Sequence, residues 1–126
     1  MPVEKSEEID GHWVGQEKSR YDFVLKLLEK KSTTRGYWVY RMTDKFGNIF
    51  IAFDGRDEWP VERIIPGTDG LSATEHFLET YECFTCKATV NRHDIAEYKY
   101  GSPDSKHKQT VLNRIKLGKL IEKTED

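Results

Sequence analysis

Aromatic and basic side chains are interleaved in three stretches of the sequence, and together they have the chemistry needed to bind a single nucleic-acid strand. The stretches are YWVYRMTDKFGNIFIAF (residues 37–53), CKATVNRHD (86–94) and KQTVLNRIK (108–116). Unpaired bases stack on aromatic rings, while Lys and Arg neutralise the phosphates. The predicted stacking residues are Trp38, Tyr40 and Phe50, and the predicted phosphate contacts are Lys87, Arg92, His93, Lys108 and Arg114.

The direction in which these side chains point depends on the phase of each strand. Trp38 and Tyr40 share one face of an extended chain. Phe50 lies on the face opposite to Ile49, Ile51 and Phe53, so it points towards a groove if the branched residues form the core. The alternative is that the aromatic residues are core and the basic residues are an ordinary solvent-facing surface.

The distribution of charge favours a basic face, although the net charge is -2. Between residues 87 and 119 there are eight basic and three acidic residues, while most of the other acidic residues lie in the tails and around residues 54–82. Such a separation can create a positive surface on a neutral body. Two side-chain amides, those of Gln109 and Asn113, could add hydrogen bonds to bases or sugars.

Other functional classes are disfavoured by the sequence. Cys83 and Cys86 form a C-x-x-C pair that His93 and His107 could complete as a zinc site, but thiols at this spacing on a strand point to opposite faces. We therefore expect reduced, metal-free cysteines and no cofactor. The sequence lacks a nucleophile elbow, a phosphate loop and an H-E-x-x-H motif, which favours a non-enzymatic protein.

Alternating and turn-forming residues predict the elements that must position these side chains. A strand begins at Tyr21, a hairpin covers residues 37–53 around Gly47 and Asn48, a further strand begins near Phe84, and the last strand begins at Lys108. The capping-box pair Ser72 and Glu75 predicts a short helix between residues 70 and 82. This order predicts an all-β fold with one short helix: a five-stranded antiparallel Greek-key barrel of the oligonucleotide/oligosaccharide-binding (OB) type.

The three quoted stretches also resemble phage and bacterial OB-fold domains of the single-stranded-DNA-binding type, over about residues 20–117. The resemblance implies an OB barrel, and several such domains occur beside replication or recombination modules. Two features depart from the pattern. Ala52 stands where an aromatic residue is expected, and the loop between His93 and Lys108 is long.

These observations predict one domain over residues 20–120 with flexible tails at 1–19 and 121–126, in a cytoplasmic protein of a bacterium or a host cell with no membrane segment. The predicted function is single-stranded DNA or RNA binding, as an accessory in phage or bacterial replication, recombination or repair. Replication or recombination proteins are further expected partners. The alternative is a protein-interaction barrel that does not touch nucleic acid, because fold alone does not decide between the two.

Overall fold

The computed structural model describes residues 11–67, 70–97 and 106–122, and within these ranges the chain is all-β, with no helix and therefore none that could span a membrane. Seven strands form one sheet. They are β1 (Arg20–Ser32), β2 (Trp38–Thr43), β3 (Ile49–Asp54), β4 (Pro60–Gly67), β5 (Gly70–Phe77), β6 (Cys83–Glu97) and β7 (Lys106–Ile121).

The alternation predicted for β1 and β6 is confirmed. Phe23, Leu25 and Leu27 of β1 are buried, while Val24 between them is exposed. On β6 the buried residues are Phe84, Cys86, Ala88 and Val90. Successive side chains of a strand point to opposite faces, so one face of each strand builds the core and the other is left to solvent.

The hairpin predicted over residues 37–53 is also confirmed as β2 and β3. Its turn is held by the Asp44 carboxylate, which accepts hydrogen bonds from the backbone N–H of Phe46 and of Asn48. Gly47 has a φ of 84°, the left-handed conformation that Gly adopts without a steric penalty. Asn48, the other residue expected in this turn, does not have a positive φ.

The sheet closes partly into a ring because the strand at one edge also pairs with a strand that is not its neighbour in the spatial order. The spatial order is β3-β2-β1-β6-β7-β4-β5, and β3 also pairs with β7 through residues such as Ile51 with Val111. This closing pair is parallel, as is the pairing of β4 with β7 at Glu62 and Lys119. The prediction of a five-stranded, wholly antiparallel sheet is therefore wrong in strand number and at these two pairings.

The prediction of a short helix between residues 70 and 82 is wrong. Residues 70–77 are β5, which pairs antiparallel with β4 from Pro60 opposite Phe77 to Gly67 opposite Gly70. The capping-box pair favours a helix only weakly, whereas pairing with β4 provides backbone hydrogen bonds along the length of β5, which is an edge strand paired on this one side.

The segment before β1 makes specific contacts with β6 and β7. The Lys18 N–H donates to the Val90 carbonyl, and the Val14 N–H donates to Thr110 Oγ1. The flexible tail predicted over residues 1–19 thus includes nine residues, 11–19, that the structure describes beside the sheet. Residues 1–10 and 123–126 of the two predicted tails lie outside the described residues, whereas Ile121 of the predicted C-terminal tail is the last residue of β7.

Candidate nucleic-acid interface

Two of the predicted stacking residues lie in the hydrophobic core. Tyr40 is 1% exposed and Phe50 is 0% exposed. The groove-facing orientation expected for Phe50 is wrong, because in the β2–β3 pairing Phe50 stands opposite Met42, and both side chains point into the ring. Phe50 contacts Phe23 edge to face, at a centroid distance of 5.3 Å. No base can stack on rings that are enclosed in this way.

The third predicted stacking residue, Trp38, lies at the start of β2, where it is partly buried and packs against the core. The ammonium group of Lys30 lies over its ring, 5.2 Å from the centroid. A cation in this position is attracted to the ring face, which it also covers. Trp38 therefore has less open ring surface than the sequence implied.

The opposite face of β3 carries an exposed aromatic residue. Ile49 and Ile51 on this face are buried, but Phe53 at its end is 47% exposed. The ring of Tyr37 meets the ring of Phe53 edge to face, with centroids 5.8 Å apart. Together with Asp54, Gly55 and Arg92 these two rings line an open cleft of about 410 Å³, which we call the Phe53 cleft.

Arg92 reaches this cleft because β6 is irregular. Val90 pairs with Leu112, but Arg92 pairs with Val111, so Asn91 is an extra residue on β6. Such a bulge redirects the side chains that follow it. The Arg92 guanidinium lies 3.9 Å from the Asp94 carboxylate, and about half of the Arg92 side chain is exposed. The cleft thus combines two aromatic rings with an accessible cation.

The acidic residue of the cleft, Asp54, is already engaged. Its carboxylate accepts hydrogen bonds from the Arg56 guanidinium at 2.8 Å and from the indole N–H of Trp59 at 2.9 Å. Partial burial raises the pKa of Asp54, but the hydrogen bonds from Arg56 and Trp59 outweigh it and hold this pKa below its ordinary value. Because Arg56 balances the charge, Asp54 repels a phosphate in the cleft only weakly.

Two other predicted residues, His93 and Lys108, surround Trp13. The indole of Trp13 stacks on the imidazole of His93, with centroids 5.3 Å apart, and the Lys108 ammonium lies 4.9 Å from the indole centroid. The indole N–H also donates to the Asp94 carbonyl. These residues fasten the N-terminal segment to β6 and β7, and they leave Trp13 39% exposed.

The remaining predicted residues lie on other parts of the sheet. Lys87 is exposed on β6, 3.8 Å from the Asp22 carboxylate. Arg114 is exposed on β7, where its φ is 50° and its carbonyl accepts a hydrogen bond from Arg20. The eight predicted residues therefore do not form one site, and only Arg92 lines the Phe53 cleft.

Sequence reasoning missed the two rings of the cleft. Phe53 shares a strand face with Ile49 and Ile51, and this apolar set had the pattern of a core face. Tyr37 precedes β2, just outside the strand. The available signal was their position, since an aromatic residue at a strand end is less enclosed than one in the middle.

The cysteines take different environments. Cys86 is buried, and this burial raises the pKa of its thiol to about 12, while Cys83 at the start of β6 is half-buried. Both are free thiols. Over the described ranges, no three His, Cys, Asp or Glu side chains come close enough together to hold a metal ion.

No protein-family model matches the chain, and neither a curated protein nor a solved structure is detectably similar to it. The function must therefore be inferred from the chemistry of the surfaces described above.

Proposed function

We propose that this protein binds single-stranded DNA or RNA across the Phe53 cleft. The observation that carries the proposal is the exposed Phe53 ring beside Tyr37 and Arg92 in one open cleft. A stacked base and a neutralised phosphate are the two contacts that single-strand binding requires. The cleft offers a partner for each, since Phe53 and Arg92 both line it.

The strand arrangement supports the same proposal. The ring runs β1, β2, β3, β7, β6 and back to β1, with β3 and β7 parallel. We propose that this ring is an OB barrel in which the β4–β5 hairpin occupies the position expected for the helix. OB barrels bind oligonucleotides on the face of their second and third strands, and Phe53 belongs to the third strand.

The bound strand would be recognised with little sequence preference. Stacking accepts every base because each base has a π face, and a guanidinium reads charge rather than base identity. Duplex should bind less well, because its bases are already stacked on one another and cannot reach Phe53. By the sequence resemblance, we propose an accessory role in phage or bacterial replication, recombination or repair.

A fluorescence-anisotropy titration tests this proposal. Labelled single strands of about 12 nucleotides, a length within the usual site sizes of such barrels, are compared with the matching duplex at two salt concentrations. We expect preferential binding of the single strand, weakened by salt. Equal binding of both forms, or no binding at micromolar protein and low salt, would reject the proposal and leave the protein-interaction alternative.

A further inference from the structure

A second groove lies on the outer face of β1, β6 and β7, on strands that do not contribute aromatic residues to the Phe53 cleft. Its volume is about 450 Å³. Val24 lines it and is 58% exposed, although it is a β-branched apolar residue in the middle of a strand. We call it the Val24 groove, and its other exposed or half-buried lining residues are Asp22, Thr85, Lys87, Lys116, Leu117 and Gly118.

The backbone of β7 creates this groove by departing from regular pairing with β6. The register shifts on both sides of the pairs that Cys86 makes with Leu117 and Lys87 makes with Lys116. At one shift Gly118 approaches Thr85 so closely that a Cβ atom would lie 2.9 Å from the Thr85 carbonyl oxygen. Bulges of this kind are common beside binding sites. Gly118 therefore packs against Thr85 and lines the groove with backbone atoms alone.

The charges around the groove leave one cation without a partner. Lys87 and Lys116 are paired across β6 and β7, and like charges directly opposite each other are unfavourable. Asp22 lies 3.8 Å from Lys87 and partly offsets its charge. Among the described residues, no hydrogen bond or ion pair involves the Lys116 ammonium, which is exposed. A carboxylate bound at Lys116 would offset the repulsion between Lys87 and Lys116.

We propose that the Val24 groove binds an extended segment of a partner protein in which a carboxylate stands next to an apolar side chain. The apolar side chain would lie on Val24, and the carboxylate would pair with Lys116. Nucleic acid fits this groove less well, because its one aromatic lining residue, Phe23, is buried and offers no ring for stacking. This inference is independent of the Phe53 cleft and concerns a different kind of partner.

Panning a random heptapeptide display library on the full chain tests the inference. We expect enriched peptides in which Asp or Glu neighbours Leu, Ile or Phe. When synthetic peptides with the enriched sequences are added to the protein and its NMR spectrum is followed, the amide resonances of Val24, Thr85, Lys116 and Gly118 should shift. Lys116→Glu should weaken their binding about tenfold, as expected for replacing an ionic attraction by a repulsion, and should instead favour peptides with Lys or Arg at the acidic position.

The matched control is Lys45→Glu, the same charge reversal at an exposed lysine in the β2–β3 turn, which should leave peptide binding unchanged. Phe53→Ala should also leave it unchanged, so a failure of the nucleic-acid proposal does not affect this result. Enriched peptides without acidic residues, equal binding to the Lys116→Glu variant, or resonance shifts in the groove caused only by oligonucleotides would overturn the inference.

Discussion

The ring of Tyr40 lies flat against the indole of Trp59, with the ring centroids 3.9 Å apart and the ring planes 12° from parallel. Both side chains are 1% exposed. The Tyr40 hydroxyl donates to the Arg56 carbonyl, and the Trp59 N–H donates to Asp54. This stack fixes residues 54–59 to the core, and with them Asp54 and Gly55 of the Phe53 cleft.

Trp59→Ala should lower the free energy of unfolding by about 3–5 kcal/mol, because it leaves a large cavity in the core. Tyr40→Phe keeps the ring and removes one hydrogen bond, so its cost should be about 1 kcal/mol. Urea unfolding followed by circular dichroism measures both values. If the two variants lost similar amounts of unfolding free energy, the ring stack would not contribute more to stability than the Tyr40 hydrogen bond.

Asp54→Asn should destabilise the protein in a pH-dependent way. The pKa of Asp54 is lower in the folded protein than in the unfolded chain, so the ionised carboxylate favours folding above the unfolded pKa, and this contribution is lost as the pH falls through the folded pKa. We expect a deficit of about 1 kcal/mol at pH 7 that shrinks below about pH 4. Urea midpoints between pH 7 and pH 3 measure it, and a deficit independent of pH would contradict the prediction.

The two thiols should differ in reactivity. The thiolate is the reacting form, and burial raises the pKa of Cys86 to about 12. Cys86 should therefore resist iodoacetamide at pH 8 until the protein unfolds, while the half-buried Cys83 should react first. Mass spectrometry of digests after timed labelling distinguishes the two residues. Faster labelling of Cys86 than of Cys83 would show that β6 opens locally.

Gly118→Ala should destabilise the fold by about 1–3 kcal/mol, because the added methyl group would meet the Thr85 carbonyl oxygen and side chain. Gly55→Ala is the matched control. A Cβ atom at Gly55 meets no heavy atom within 4 Å, and its φ is not positive. The free energy of unfolding of that variant, measured by urea unfolding, should equal or slightly exceed that of the parent. Equal decreases in the two variants would argue against a close contact at Gly118.

Phe53→Ala should weaken single-strand binding by about 1–3 kcal/mol with little change in salt dependence, because stacking releases no counterions. Arg92→Ala should instead reduce the salt slope by about 0.7, the value for one phosphate of a single strand. Phe46→Ala is the control, since Phe46 is 76% exposed in the β2–β3 turn, outside the cleft. Equal effects at Phe46 and Phe53 would show that the cleft is not the binding site.

The sequence by itself determined the features that depend on local geometry. In β1 and β6 the buried and exposed residues alternate, so the pattern around Phe23 and Leu25, and again around Phe84 and Ala88, identified the inward face. The β2–β3 turn was likewise visible, because Gly47 supplies a conformation that few other residues adopt. These features need no knowledge of which strand lies beside which.

Only the tertiary structure decided the phase of β3, the hairpin at residues 60–77 and the position of the N-terminal segment. Four consecutive residues of β3, from Ile49 to Ala52, are buried, so the strand has no alternation from which to identify the face that carries Phe53. The face that carries Ile49 and Ile51 is buried as well as the face that carries Phe50, and the pairing with β7 joins residues sixty positions apart, such as Ile51 and Val111. Contacts at that separation are set by which surfaces pack together, a property that no local pattern of residues contains.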